Sequence, residues 1–347
     1  MIRIGIICPS EIAFRRFLPA LKQVKNFTFA GIGVASAEEW YGKGVNFDAE
    51  AEESRLEKET AKAQTFIDEW GSGKITKGYE NLVSLDDIDA VYLPLPPALH
   101  FKWAKLALEH GKHVFVEKPS TTDAVDTNGL IELARKNNLA FHENYMFVYH
   151  EQLKVINDVV ESGEIGDIRL YRISFGFPRR AQNDFRYNKS LGGGALIDAG
   201  GYTIKYGSYL LGDTAKLTTT QLNYIDEFGV DMYGSATMVN DKGVTAQLAF
   251  GMDNDYKCDI EIWGSKGTIT SNRIFTAPAG FEPEYTIKKN QAYETRKLPV
   301  DDAFRKSIEQ FEACIKDEVF RENEYKLVGT EAKLLTDFRD MAGLCVK

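Results

Sequence analysis

The stretch IRIGIICPSEIAFRRFLPALKQVKNFTFAGIGV, residues 2–34, begins with an apolar β-rich run, passes through an amphipathic helical pattern and returns to an apolar run. Strands at 2–8 and 27–34 flanking a helix at 11–24 make one βαβ unit, the building block of a parallel sheet. The alternation continues outward. AVYLPL (90–95) and HVFVEK (113–118) read as further strands, and helical patterns lie at about 55–70 and at 97–111. The order β, α, β, α, β predicts a doubly wound α/β domain. The charged stretch from Glu38 to Glu59 is longer than such a sheet needs and predicts an extra exposed helix or loop.

After a helix near 123–137 and the strand-like LAFHE (139–143), the pattern changes. IRLYRISFGF (168–177), KLTTTQLNY (216–224), MYGSATMVN (232–240), GVTAQLAFGM (243–252), CDIEIWG (258–264) and GTITSN (267–272) are strands separated by turns, several with period-two alternation. They predict a large open, mainly antiparallel sheet. AFRKSIEQFEACIKD (303–317) and YKLVGTEAKLLTDFRDMAG (325–343) close the chain as helices. The expected division is a dinucleotide-binding domain over 1–122 and a substrate-binding and oligomerisation α/β domain over 123–347, with the final helices left open to pack back on the first. A length of 347 residues, beyond what one core usually supports, agrees with two domains.

A formal charge of −9 disfavours nucleic acid and anionic membrane as partners, since phosphate polymers are met by an excess of Lys and Arg. Met1 leads straight into a strand, and the sequence shows neither a signal-peptide pattern nor an apolar run long enough to span a bilayer. Cys8, Cys258, Cys314 and Cys345 are scattered, without metal-ligand spacing. A cytoplasmic protein with reduced thiols and no metal is expected.

A dinucleotide site needs a tight strand-to-helix turn that lets the backbone approach a pyrophosphate at a helix N-terminus. In GIICPSEIA (5–13) the three fingerprint glycine positions hold Cys8, Ser10 and Ala13. Ser10 suits a helix cap that also offers its hydroxyl to phosphate, whereas the Cβ of Cys8 restricts the turn. The second strand ends in Val34-Ala35-Ser36-Ala37. No carboxylate is there for the ribose hydroxyls of NAD. Ser36, helped by Arg15 or Arg16, favours the 2′-phosphate of NADP over NAD.

Two further segments carry chemistry. In HVFVEKPS (113–120), Lys118 ends a strand of the first domain, and ligands of open α/β sheets sit beyond such strand ends. A lysine there can neutralise charge on a carbinol oxygen or relay a proton; an exposed lysine before a turn proline reads the same locally. In LGGGALIDAGGYTIKYGSYLLG (191–212), three glycines permit close approach to a ligand before a helix on which Asp198 and Tyr202, four apart, share a face. Tyr202 suits proton donation to a carbonyl and Asp198 a bond to a substrate hydroxyl. The structural alternative is a first-turn Asp and a half-buried core Tyr. Upstream, Arg179, Arg180, Arg186 and Tyr187 suit a clamp on sugar hydroxyls or a diphosphate. His110, His113, His142 and His150 show no pairing that demands a ligand role.

GII (5–7), IAFRRFLPAL (12–21), PLPPALH (94–100), HGKHVFVEKP (110–119) and GGGALIDAGGY (192–202), in this order and separation, resemble the Gfo/Idh/MocA family, the glucose-fructose oxidoreductase and inositol dehydrogenase relatives, across essentially the whole chain. The resemblance implies a Rossmann domain and a C-terminal α/β domain whose open sheet forms the interface of a homo-oligomer, a dimer or tetramer. Lys118 matches the lysine of the EKP motif, Asp198 the aspartate after the glycines and Tyr202 the proton donor, a position where many relatives carry His. Cys8, Ser10, Glu11, Ile12, Arg16, Ser36, Pro94, Leu95, Pro96, His100, Glu117, Lys118 and Asn144 fall on the cofactor, and Arg180, Arg186, Tyr187, Asp198 and Tyr202 on the substrate. It also implies a cis Lys118–Pro119 bond. NDFRYNKSLGGGALIDAGGY (183–202) is most similar to deoxysugar 3-ketoreductases and dihydrodiol dehydrogenases. The expected activity is NAD(P)-dependent hydride transfer to or from a sugar-like carbonyl or carbinol carbon, with a nucleotide-linked keto-sugar as candidate substrate. The alternatives are oxidation of a free sugar, an inositol or a trans-dihydrodiol, and a non-catalytic binder with a degenerate glycine turn.

Overall fold

A computed structural model describes residues 1–343, so Cys345 lies outside the described residues. The chain divides into two compact units. The first comprises Met1–Thr121, Val125–Asn144 and Ser307–Gly329; beyond the 1–122 stretch expected of it, it also takes in 125–144 and part of the final helices.

The first unit is built on six strands: β1 (Ile2–Ile6), β2 (Phe27–Val34), β3 (Lys74–Lys77), β4 (Ala90–Leu93), β5 (His113–Glu117) and β6 (Phe141–Asn144). Their order is β3-β2-β1-β4-β5-β6 with every pair parallel, the doubly wound arrangement expected. All four residues of β4 are buried, as in a sheet covered on both faces. The helices include α1 (Leu18–Leu21), α2 (Ala37–Tyr41), α3 (Ala49–Trp70), α4 (Tyr79–Val83), α5 (His100–Glu109) and α6 (Ala124–Lys136). The charged insertion resolves into α2 and the first turns of α3, starting earlier than the pattern at 55 suggested. Of the 22 residues of α3 only Glu52, Ala63 and Phe66 are buried, so its exposed reading holds. β3 and α4 were not expected: KITK is a short edge strand without a buried side chain, and nothing apolar announces it.

The second unit comprises Thr122–Ala124, Tyr145–Lys306 and Thr330–Lys347. Within it are α7 (Glu151–Glu161), β7 (Ile168–Gly176), α8 (Gly201–Leu211), β8 (Lys216–Tyr224), β9 (Asp231–Val239), β10 (Thr245–Gly251), β11 (Lys257–Gly264), β12 (Thr268–Asn272), β13 (Glu284–Lys289) and β14 (Ala292–Lys297). The sheet runs β14-β13-β12-β11-β7-β10-β9-β8, antiparallel throughout except for the parallel β7–β10 pair. Alternate residues point into a core that packs against α8; the others, including Arg172, Thr237, Gln247 and Trp263, face outward. α9 (Ala303–Lys316) and α10 (Glu318–Met341) supply residues to both units.

Candidate active site

The turn after β1 enters a helix that begins with a π-type turn at Ala13–Phe17. The Ser10 hydroxyl accepts the Ala13 N–H at 3.2 Å and the Ser10 carbonyl the Phe14 N–H at 3.1 Å, so Ser10 caps this helix as its sequence position suggested. The difficulty posed by Cys8 is absent. The turn keeps all its residues out of the left-handed region, so a Cβ does not obstruct the backbone path. The thiol turns inward, donates to the Pro94 carbonyl at 3.5 Å and packs with the core beside Tyr79. Burial pushes its pKa up to about 12, which makes it a neutral packing group. Glu11 and Ile12 are exposed on the outer side of the turn. Arg15 is paired with Glu11 at 2.6 Å, whereas Arg16 is half-buried.

At the end of β2, Ser36 forms a capping box with Glu39: its hydroxyl accepts the Glu39 N–H at 3.4 Å and the Glu39 carboxylate accepts the Ser36 N–H at 2.8 Å. The same carboxylate accepts the N–H groups of Tyr79 at 2.9 Å and Glu80 at 3.0 Å, capping α4 as well. The Glu39 carboxylate is thereby turned onto backbone, while the Ser36 hydroxyl keeps its own hydrogen to donate. Arg55 reaches this strand end from α3, donating to the Ala35 carbonyl at 2.8 Å while paired with Glu52. Its position 20 residues along the chain gave no sequence signal.

Glu117 and Lys118 leave β5, and the Lys118–Pro119 bond is cis. Glu117 accepts from the Tyr92 hydroxyl at 2.6 Å and from Asn144 Nδ2 at 2.7 Å. Desolvation raises its pKa, opposed by these two donors and by the Lys118 charge. Lys118 is half-buried. His100 is fully buried and does not face a ring-binding space: Nδ1 lies 2.8 Å from the Pro119 carbonyl and Nε2 2.7 Å from the Leu95 carbonyl. It ties the segment Pro94-Leu95-Pro96 to the segment that follows Lys118. Two carbonyl acceptors suit an imidazolium, but desolvation outweighs them and lowers the pKa to about 4, leaving a neutral ring.

In the second unit the chain itself lies close against two of the three glycines, Gly193 and Gly194. A Cβ at Gly193 would lie 2.4 Å from the Arg186 carbonyl oxygen. At Gly194, whose φ is +124°, it would lie 2.3 Å from Asp231 Oδ1, so the chain itself fills the space. Asp231 accepts the Leu196 N–H at 2.7 Å and holds the start of the helix; burial raises its carboxyl pKa against the help of the Leu196 and Ala195 amides. That start, Leu196–Gly200, is a π-type turn leading into α8, so Asp198 precedes the regular helix that carries Tyr202. Asp198 accepts Arg186 Nε at 2.7 Å, and Arg186 also meets Asp184 at 3.1 Å. Arg186 is therefore engaged with carboxylates rather than offering an open fork. The Tyr202 ring sits among Phe175, Tyr145, Phe275 and Phe147, with centroids 5.0, 5.3, 5.6 and 5.7 Å away.

A cavity of about 480 Å³ is lined by Arg179, Arg180, Gln182, Tyr187, Phe228 and neighbours. Arg179 is bound by Asp253 and Glu227, and the Tyr187 hydroxyl accepts the Arg180 N–H at 2.8 Å while its ring lies 4.6 Å from Phe228. Among the described residues the Arg180 guanidinium meets no carboxylate and lies over Phe177 at 5.1 Å. In the first unit, His142, Cys314 and Glu324, scattered in sequence, bring potential metal-ligand atoms within 4.8 Å of one another. His142 Nε2 is hydrogen-bonded to Ser307 and its Nδ1 lies 2.9 Å from Glu324, and burial pushes the Cys314 thiol well up, which opposes thiolate ligation.

Residues 25–145 match the oxidoreductase family with an NAD-binding Rossmann fold, and residues 153–270 the GFO/IDH/MocA C-terminal domain. The dTDP-3,4-didehydro-2,6-dideoxy-α-D-glucose 3-reductase of Actinomadura kijaniata is 36% identical over 314 residues, 90% of this chain and 87% of the relative. The D-xylose 1-dehydrogenase (NADP(+)) 2 of Haloferax volcanii is 29% identical over 290 residues, 82% of this chain and 86% of the relative. Among solved structures, the 3-ketoreductase KijD10 from A. kijaniata in complex with NADP and TDP-benzene superposes with a TM-score of 0.87 at 34% identity, covering 98% of this chain and 97% of that one. A Rossmann sheet with a capped but glycine-poor nucleotide turn, joined to an open eight-stranded sheet, thus matches this family over nearly the entire chain: the protein belongs to the Gfo/Idh/MocA family and is an NAD(P)-dependent oxidoreductase.

Proposed function

We propose that the protein reduces the keto group of a nucleoside-diphosphate-linked deoxysugar with NADPH, the first unit binding the cofactor and the second the substrate. The observation that carries this reading is the second-unit cavity lined by Arg180, Tyr187 and Phe228. Its Tyr187 and Phe228 rings, tilted 35° to each other, suit a base, and Arg180, not engaged by a carboxylate among the described residues, suits a diphosphate. The likeness to 3-ketoreductases at 34–36% identity supports it.

The residues of the first unit fit a dinucleotide. The Ser10-capped turn has an unstrained backbone, the Cys8 thiol is turned away, and Ser36 retains a hydrogen for a 2′-phosphate. Bound there, the reduced nicotinamide supplies the hydride. In our reading Tyr202 delivers a proton to the substrate oxygen, and the Lys118 ammonium stabilises the charge on that oxygen and eases loss of the phenolic proton. Asp198, held by Arg186, orients a substrate hydroxyl. Glu11, Ile12, Arg16, Pro94, Leu95 and Pro96 shape the cofactor side. Asn144 and His100 act there through Glu117 and the loop carbonyls.

Consumption of NADPH with a dTDP-linked 3-keto-deoxysugar, against NADP-dependent oxidation of free aldoses, tests the assignment. Lys118→Ala and Tyr202→Phe should each lower kcat about 100-fold. Wild-type rates in both variants remove the mechanism, and faster turnover of the free sugar removes the substrate class.

We also infer that a second copy covers the outward sheet face around Arg172, Gln247 and Trp263, the last 51% exposed, in a cytoplasmic homo-oligomer. A monomer mass by light scattering removes that inference.

A further inference from the structure

Behind Asn144 the first unit holds a line of buried polar side chains, Glu324, His142 and Ser307, that the proposed chemistry does not use. Glu324 lies 2.9 Å from His142 Nδ1, His142 Nε2 lies 2.9 Å from the Ser307 hydroxyl, and that hydroxyl donates to Asn144 Oδ1 at 2.8 Å. Asn144 Nδ2 then donates to Glu117 at 2.7 Å. Glu324, His142, Ser307 and Asn144 are each at most 3% exposed. Four polar groups placed this deep are costly unless mutually satisfied, and here each link is of hydrogen-bond length.

The donors also run in one direction. Glu117 accepts from the Asn144 amide, which turns the Asn144 carbonyl oxygen towards Ser307 and fixes its orientation. The single Ser307 hydrogen goes to that oxygen, so Ser307 can only accept from His142, and the Nε2 of His142 carries a hydrogen. The Glu324 carboxylate stands 2.9 Å from the other ring nitrogen, Nδ1, at the far end of the series. Successive bonds of one sense polarise each other, and this series ends on the carboxylate next to Lys118.

We propose that Glu324, His142, Ser307 and Asn144 form a one-directional relay of positioning residues that holds Glu117 as an oriented anion beside Lys118. The groups around it are accounted for. Glu117 faces Tyr92, Asn144 and Lys118. His142 faces Glu324, Ser307, Cys314 and the rings of Phe115 and Phe311. Arg321 lies beyond, against Cys314.

The significance for catalysis rests on Lys118 belonging to the reacting site, so the decisive experiment does not use turnover. The full-length protein is labelled with ¹³C at the glutamate carboxyl carbon, the Glu117 resonance is assigned by its loss in Glu117→Gln, and its titration is followed by NMR. Cutting the relay with Ser307→Ala should move the Glu117 titration upward by about one pH unit, because the donor that orients the Asn144 amide is lost. The acid limb of kcat should move the same way, since the anion is then lost at higher pH. Ser307→Thr, which keeps the hydroxyl, should restore both. An unchanged Glu117 titration in Ser307→Ala overturns the relay. If that variant does not fold, Glu324→Gln takes its place, with an upward shift expected and an unchanged titration again overturning it. Absence of any oxidoreductase turnover would sink the functional reading, whereas the relay stands or falls on the Glu117 titration alone.

Discussion

Replacing Arg186 with Met removes the cation that meets Asp198 at 2.7 Å, with the two side chains only 21% and 11% exposed. Breaking a buried pair by deleting one member is costly because the remaining charge keeps its desolvation penalty. With water partly admitted at these exposures, a loss of about 3 kcal/mol is expected, the lower end of the range for buried pairs. Asp198→Asn leaves Arg186 with Asp184 at 3.1 Å and should cost only about 1 kcal/mol. In the double variant no carboxylate at 198 is left to suffer, so its loss should fall short of the sum of the singles by about 2 kcal/mol. Urea unfolding of the four proteins, followed by far-ultraviolet circular dichroism, measures this cycle without reference to activity. Additivity within about 0.5 kcal/mol would show that the contact is not energetically coupled and that Asp198 owes its position to something else.

Two other outcomes follow from the same structure. His100 has a folded pKa lowered from 6.5 to about 4, so between these values the unfolded chain binds more protons; the neutral ring's contribution is complete above pH 6.5 and is lost as pH falls towards 4. The stability lost across that window should be roughly 3 kcal/mol, and urea midpoints that do not differ between wild type and His100→Asn in their pH dependence would refute it. Gly194→Ala forces a Cβ at φ +124° to within 2.3 Å of Asp231, disturbing the cap of the following helix. It should cost about 3 kcal/mol and lower the thermal midpoint, and a midpoint equal to wild type would contradict the close approach.

The parts of the molecule legible in the sequence are those whose determinants are local. The βαβ alternation, the Ser10 cap and the placement of Lys118 after β5 each depend on a few neighbouring residues. The Ser36-to-Glu39 spacing was equally readable as a capping box, but its second use, holding α4 from 40 residues away, was not. β13 and β14 escaped because their turn at Asn290 and Gln291, with φ of 46° and 65°, carries no glycine and β14 is almost wholly exposed. The glycines were legible as a tight passage, yet only coordinates show Arg186 against Gly193 and Asp231 against Gly194. Ser307 reaches Asn144 across 163 positions, and no periodicity encodes such a meeting.

The double duty of Glu39 bears on how coenzyme choice can drift in this lineage of folds. An acidic residue introduced at position 36 to greet an unphosphorylated ribose would displace the serine that begins α2 and would stand beside a carboxylate already committed to three amides. Retuning from one dinucleotide to the other through this position therefore sets a second carboxylate against the one that holds the start of α4, so the like-charge contact and the helix start change together.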